Sequence, residues 1–267
     1  MKFSIITASF NSEKTIIRTI ESLLNQSYSD FEYIIIDGCS TDGTMEIIKS
    51  YEKRFKNKMI PFTWISEKDH GIYEAWNKGL NLAKGDWISF LGSDDYYVKN
   101  ALEIYNSLLM NTNESKIDWM YSNVEFIPKN KESKILDSIW KWKEFRRNIK
   151  ITPAHVGSFH NREYFIKYGI YDTSYKIVGD YELLLRAKDK LKTIKAEKVT
   201  AIMSGDGVSN RNVKKALKET FLAKRKTAKV TFFLCFYDYY LSLFIHILKR
   251  AGLNKSLKKL LSAGQRN

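Results

Sequence analysis

Two cysteines and four histidines are all that 267 residues supply, and no spacing among them matches a zinc site. A disulfide framework and a structural zinc are therefore excluded, and a reducing cytoplasm is the expected setting. No internal repeat is present. Met1-Lys2 leads straight into a β-rich run, which leaves no room for a charged region followed by an apolar signal segment. Despite a net charge of +14, no recognised nucleic-acid motif appears, and the tail aromatics fall within an apolar run rather than on a polar sheet face, so a nucleic-acid partner is not expected. The one apolar run of spanning length, Val230 to Leu248, carries Asp238 near its middle and positive charge at both ends, which argues against a membrane crossing. What the chain does have is 44% hydrophobic content, enough for one sizeable core.

The most informative stretch is Gly85-Asp86-Trp87-Ile88-Ser89-Phe90-Leu91-Gly92-Ser93-Asp94-Asp95. An apolar run between two glycines reads as a buried strand of an α/β sheet, and ligands of such sheets gather outside the carboxyl ends of the strands. Asp94 and Asp95 sit at that end. Hard divalent cations are commonly shared between one or two carboxylates and substrate phosphates, so the pair suggests a metal-bound diphosphate. The competing reading is that Ser93 or Asp94 caps a helix over Tyr97 to Met110.

Three further segments fit the metal reading. Phe3 to Asn11 is a β-rich run ending in small polar residues before a helical pattern from Glu13 to Leu24. Phe31 to Ile36 is a second buried-looking strand, closed by Asp37-Gly38-Cys39-Ser40-Thr41-Asp42-Gly43 and followed by a helix from Thr44 to about Phe55. Asp69-His70-Gly71 opens another helix ahead of the Asp94-Asp95 strand. Strands alternating with helices imply a mostly parallel sheet flanked by helices, with these loops on one edge.

In order and spacing, SIITASFN, IIIDGCSTDGT, DHGIYEAWNKG and GDWISFLGSDD resemble the family 2 glycosyltransferases, over about residues 3 to 210. The likeness is greatest to bacterial enzymes that build O-antigen, capsule and exopolysaccharide repeats. It implies a GT-A fold, a nucleotide-binding α/β domain over residues 1–210 whose donor half runs to about 110 and whose acceptor half follows. By position, Thr7 and Ser9 would line the nucleotide pocket, Phe10 would stack on the base, and Asp37 would hydrogen-bond it. Asp69, Gly71 and Ser93 would complete the donor site, Asp94 would contact ribose or metal, and Asp95 would ligate Mn2+ or Mg2+ on the diphosphate. Lys78 would add positive charge at that end, the alternative being a solvated helix lysine. Two positions depart from the family's pattern: Phe10 stands for a tyrosine, and Gly92 stands where an acidic residue is common.

Inverting transfer needs a base for the acceptor hydroxyl, and the resemblance places it at Asp180 in KIVGDYELLLR, with Gly179 where an acidic residue often precedes it. Two other readings compete: Asp180 as the cap of a helix over Tyr181 to Asp189, and Glu182 as the acting carboxylate. Upstream, ITPAHVGSFH resembles the family's acceptor-side loop, which gives His155 a binding role in the acceptor pocket.

Charge divides the chain further. Residues 211–267 hold 14 Lys and Arg against Glu219 and Asp238, a net +12, and leave +2 for the other 210 residues. Between Lys224-Arg225-Lys226 with Lys229 and Lys249-Arg250 lies the aromatic run, in which Asp238, Ser242 and His246 recur every four residues as one polar stripe. Such a helical tail can lie on an anionic membrane surface, with lysines over headgroups and aromatics among acyl chains. The plainer alternative is a helix packed on the catalytic domain, or on its twin in a homodimer.

Together these readings give a cytoplasmic-face, peripheral, metal-dependent, inverting glycosyltransferase that moves a sugar from a nucleotide donor, a UDP-sugar before a GDP-sugar, to a polyprenyl-diphosphate-linked saccharide. A transferase for a protein or soluble acceptor, or an inactive nucleotide-sugar-binding module suggested by Gly92 and Gly179, stands as the alternative.

Overall fold

The computed structural model describes residues 1–112, 117–129, 132–148, 153–205 and 212–250. The expected tail beyond 250, the Lys249-Arg250 side chains and the first two residues of the acceptor-side loop lie outside the described residues. The amino-terminal half alternates strand and helix: β1 (Phe3–Ser9), α1 (Ile16–Leu24), β2 (Phe31–Asp37), α2 (Thr44–Ser50), α3 (Glu52–Asn57), β3 (Phe62–Ser66), α4 (Ile72–Leu82) and β4 (Trp87–Phe90). Then come β5 (Tyr96–Tyr97), α5 (Ala101–Met110), β6 (Trp119–Ile127), β7 (Lys134–Leu136), α6 (Trp142–Phe145), β8 (Ser158–Asn161), α7 (Arg162–Tyr168), α8 (Gly179–Leu185), β9 (Thr193–Ser204), α9 (Val213–Lys226) and α10 (Phe232–Arg250).

One sheet runs β3-β2-β1-β4-β8-β6-β9-β5, with β7 on β6. β1, β2, β3 and β4 are parallel, whereas β8 joins β4 antiparallel and the carboxy-terminal strands mix both directions. The expected mostly parallel sheet is present, with its antiparallel pairings confined to the joint at β8 and the carboxy-terminal strands. Helices α1 and α4 supply the crossovers that parallel neighbours need, while antiparallel neighbours need none. Alternation along β1 and β2 splits the core: Phe3, Ile5, Tyr33 and Ile35 pack toward α1, α2 and α5, and Ile6, Ile34 and Ile36 pack toward α4.

Strand order turns back at β1, since the chain passes from β1 to β2 and β3 on one side and returns through α4 to β4 on the other. Such a switch point opens a crevice beyond the carboxyl ends. Helix boundaries differ from expectation where distant pairing intervenes. Tyr96 and Tyr97 pair with Ile202 and Ala201 of β9, so the helix expected from Tyr97 starts at Ala101, with Asn100 at its amino end, and neither Ser93 nor Asp94 caps it.

Candidate active site

Three strand ends form a polar row at the carboxyl edge of the parallel strands. Ser9, Asp37 and Ser66 occupy matching positions on β1, β2 and β3. Their side chains bond across the edge: Ser9 Oγ donates to Asp37 Oδ1 at 3.0 Å and Ser66 Oγ to Oδ2 at 2.8 Å. The amide of Ser40 adds 2.9 Å to Oδ2, and its hydroxyl donates to Oδ1. Asp37 is fully buried with both oxygens engaged, so it holds the loop after β2 rather than lining the cleft.

A cleft of about 950 Å³ opens beside this row and brings together Phe10, Ser93, Asp94, Asp95, His155 and Asp180 from the expected set. Phe10 is 63% exposed at the mouth, a free aromatic face. Gly92 explains how the acidic pair fits: a Cβ there would lie 2.7 Å from Asp95 Oδ2 and 3.1 Å from Asp94 Oδ1, so two carboxylates converge on space that only glycine leaves open. Asp95 is 5% exposed, and burial, then the neighbouring Asp94 charge, pushes its carboxyl up to about 7. The Ser204 amide donates to Asp95 Oδ1 at 2.8 Å, and Arg18 donates to the Asp94 carbonyl at 2.8 Å. Two converging carboxylate oxygens, one of them buried, fit a hard divalent cation that a diphosphate would complete.

Asp180 lies in the first turn of α8, not at its cap, which is Val178, and the helix ends at Leu185 rather than Asp189. Tyr73 Oη donates to Asp180 Oδ1 at 3.2 Å, and His155 Nδ1 lies 3.6 Å from Oδ2. Gly179 is required by close approach, since a Cβ there would meet the Tyr73 ring at 2.8 Å. The departure at 179 thus admits the tyrosine that holds Asp180. Glu182, the competing carboxylate, is 5% exposed, bonds Arg186 at 2.5 Å and 3.0 Å, and does not line the cleft.

Five other expectations do not meet the cleft wall. Thr7 is fully buried and lies 3.1 Å from the Tyr33 hydroxyl, which donates to it, and Ser9 turns to Asp37, because strand alternation sends both away from Ala8, which does line the cleft. Lys78 does not line the cleft: half-buried on α4, it ion-pairs with Glu67 at 2.9 Å and Glu74 at 3.7 Å and donates to the Lys68 carbonyl. Asp69 accepts from the Gly71 amide at 2.8 Å and abuts Gly38 beside Phe10, so Asp69 and Gly71 shape the rim. The lysines that line the cleft are instead Lys14 and Lys176, the latter 106 residues beyond the His70 carbonyl to which its Nζ donates at 2.9 Å. Tyr73 and Lys176 went unread in the sequence because their roles rest on contacts between distant segments. Gly179 itself, small where bulk was tolerable, was the one local signal of a close approach.

The tail does not stand apart. α9 packs against α8, and Asp238 of α10 is fully buried between Arg147 at 2.6 Å and Lys224 at 3.1 Å. At Asp238 the expected polar stripe therefore faces the protein, and Phe233, Tyr237, Tyr240 and Phe244 face outward, Phe233 at 83% exposure.

The profile of the family described as "Glycosyl transferase family 2" matches residues 4–167. A "PGL/p-HBAD biosynthesis glycosyltransferase Rv2957" of Mycobacterium tuberculosis (strain ATCC 25618 / H37Rv) is 29% identical over 188 residues, 69% of this chain and 68% of that protein. The "UDP-Glc:alpha-D-GlcNAc-diphosphoundecaprenol beta-1,3-glucosyltransferase WfgD" of Escherichia coli is 35% identical over 128 residues, 48% of this chain and 47% of its own. Among solved structures, S. aureus TarS 1-349 in complex with UDP-GlcNAc superposes with a TM-score of 0.66 at 16% identity, covering 88% of this chain and 69% of that one. The mannosyltransferase PcManGT from Pyrobaculum calidifontis, in complex with GDP-Man and Mn2+, gives 0.64 at 13% identity, covering 100% and 76%. At such identities the two structures speak for the fold alone, a GT-A-like α/β arrangement.

Proposed function

Because the chain belongs to glycosyl transferase family 2, and is thus a glycosyltransferase, we propose that its cleft transfers a sugar with inversion from a UDP-sugar to a polyprenyl-diphosphate-linked saccharide. The observation that carries this is the placing of two unlike acidic groups in one cleft: a convergent pair, half-buried Asp94 and buried Asp95, and a half-buried Asp180 held by Tyr73. WfgD is named for a diphosphoundecaprenol-linked acceptor and TarS was solved with UDP-GlcNAc, which supports this donor and acceptor class.

Asp95 and Asp94 would hold Mn2+ or Mg2+, and such a cation supplies neutralisation of the negative charge that the departing nucleoside diphosphate carries away. Phe10 offers its exposed ring to the base, with Asp69 and Gly38 beside it. Lys176 adds positive charge within the cleft. Asp180 takes the proton from the acceptor hydroxyl while that oxygen bonds to the anomeric carbon and the bond to diphosphate breaks. His155, 3.6 Å from Asp180, lines the acceptor side with Tyr181 and the apolar Ile177, Val178 and Leu184.

The test is turnover of a panel of UDP-sugars and GDP-sugars on a synthetic undecaprenyl-diphosphate-linked GlcNAc, with and without EDTA, and the anomeric configuration of the product by NMR. Transfer indifferent to EDTA would remove the cation, and retained configuration would remove Asp180 as base. Transfer only to a soluble or protein acceptor would favour the alternative reading.

An anionic membrane surface at the inner face of the cell is the proposed partner of the tail. Lys214, Lys215 and Lys218 share a groove with Phe236, Tyr239 and Tyr240, pairing cationic charge with aromatic surface. Among the described residues no helix is long and apolar enough to cross a membrane. The protein should sediment with phosphatidylglycerol vesicles at low salt and release partly at high salt, whereas a salt-indifferent homodimer burying this face would replace the reading.

A further inference from the structure

Glu219 belongs to the basic tail, outside residues 4–167 that the family profile matches, yet it reaches the acceptor side of the cleft. It is 7% exposed on α9. Its carboxylate accepts three successive backbone N–H groups: Lys176 at 3.1 Å to each oxygen, Ile177 at 2.9 Å and Val178 at 3.2 Å. Those three residues line the cleft and end two positions before Asp180. Val178, at the amino end of α8, has no side-chain oxygen to satisfy that turn, and α8 makes no cap bond of its own. From another helix, Glu219 satisfies the amide of Val178 itself and those of the two residues before it.

We propose that Glu219 is a positioning residue for the acceptor base: by gripping the backbone of residues 176–178 it fixes where Asp180 stands, so the active site extends into α9. This rests on the reading of Asp180 as base. The physical case is that successive amides converging on one carboxylate make charge-assisted bonds, about twice as strong as neutral ones. Three such bonds hold a segment that has no strand or helix ladder of its own. α9 is itself anchored, through Lys224 to Asp238 and through Thr227 Oγ1, which donates to Glu182 Oε1 at 2.8 Å. A displacement of about 1 Å at a catalytic group can cost a hundredfold in rate, so partial loosening should be readable in kcat.

The experiment is a double-mutant cycle with Asp180→Asn, Glu219→Gln and the pair, measuring kcat and the affinity for UDP with Mg2+. Glu219→Gln keeps the shape but removes the charge. It should lower kcat about tenfold and leave UDP affinity within about twofold. On the Asp180→Asn background it should cost less than about twofold further, because a residue that acts through the base has nothing left to position. Hydrogen exchange should show faster exchange at the amides of 176–178. An unchanged kcat, or the same tenfold loss on top of Asp180→Asn, would overturn the proposal. Failure of the base reading would show separately, as Asp180→Asn with wild-type kcat. Should Glu219→Gln not fold, Glu219→Asp keeps the charge and withdraws the carboxylate by one methylene, and the same cycle applies. If that variant also fails to fold, Glu219 is a stability residue and the proposal falls.

Discussion

Asp95 and Asp180 share one cleft but are built by opposite means. Asp95 comes from a strand end only a few residues beyond a buried core segment; Gly92 and Asp94 beside it set its spacing and help raise its carboxyl, while the Thr19 hydroxyl and the Ser204 amide reach it from other segments. Asp180 is about one-third exposed and is held by groups from afar: Tyr73, 107 residues upstream, and the loop that Glu219 of α9 grips from 41 to 43 residues downstream. A rigid, local carboxylate suits a group whose partner, a diphosphate, is common to many donors. A carboxylate assembled from separate segments suits the side where acceptors differ, since each segment can vary without disturbing the donor end.

Breaking each carboxylate should separate the two most sharply, and these are the largest expected effects. Asp180→Asn should lower kcat about a hundredfold to ten-thousandfold with UDP affinity nearly unchanged. Asp95→Asn should cost at least about a hundredfold in cation-stimulated turnover and should weaken UDP binding only when Mn2+ or Mg2+ is present. If both variants lose the same parameter by the same factor, the division into a leaving-group end and an acceptor end is wrong.

Next in size is the buried ion cluster that ties the tail to the acceptor half. Asp238→Ala leaves Lys224, held at 3% side-chain exposure, and Arg147 without their carboxylate. Burial already lowers the Lys224 pKa, with Asp238 opposing, so the loss leaves an uncompensated buried ammonium. A stability loss of about 3–5 kcal/mol by urea unfolding is expected, the range for breaking one partner of a buried pair. Unaltered stability would mean that the tail is only loosely applied.

Much of the donor end was legible in sequence, because its determinants are local: β1, β2 and β4 as apolar runs closed by small polar residues, and Asp94-Asp95 beyond the last of them. The acceptor end was legible as motif only. Asp180 could be located, but not Tyr73 beneath it, nor Lys176 in place of Lys78, since periodicity carries no information on which helix side chain another segment reaches. The same limit hid the sense of the tail. The four-residue recurrence of Asp238, Ser242 and His246 gave a polar stripe, but a stripe meets water or a buried cation equally well, and for Asp238 the cations are Arg147 and Lys224. Strand-pairing at Tyr96-Tyr97 was invisible for a related reason, because the partner strand lies about a hundred residues on.

A smaller effect probes the tightest contact on the acceptor side. Gly179→Ala would put a methyl group 2.8 Å from the Tyr73 ring, so either the ring or the α8 start must shift. Overpacking of this kind costs about 1–3 kcal/mol. Here the loss should appear in kcat and in stability together, with UDP affinity spared, and making room through Gly179→Ala with Tyr73→Leu, which removes the ring, should not return kcat, because the hydroxyl that holds Asp180 is then gone. Recovery of full rate in that pair would show that Tyr73 fills space and does not orient the base.

The smallest effect concerns pH and belongs to the donor end alone. Burial and Asp94 raise the Asp95 carboxyl from its ordinary value to about 7, so between those limits the folded protein binds a proton that the unfolded chain has released. The sign follows: folding is most favoured where Asp95 is protonated in both states, and stability falls as pH rises from about 4 toward 7. A divalent cation reverses the trend, since it must displace that proton below pH 7 and meets a free carboxylate above it. Cation affinity should rise by up to about tenfold per pH unit up to 7 and level off beyond, because one proton is exchanged. The Tm gain from Mn2+ should accordingly be larger at pH 8 than at pH 6, by a few degrees for a chain of this size. Asp95→Asn should abolish the difference while Asp180→Asn keeps it. An equal gain at both pH values would mean that Asp95 is already ionised in the cleft and that Asp94, not Asp95, is the group the cation meets first.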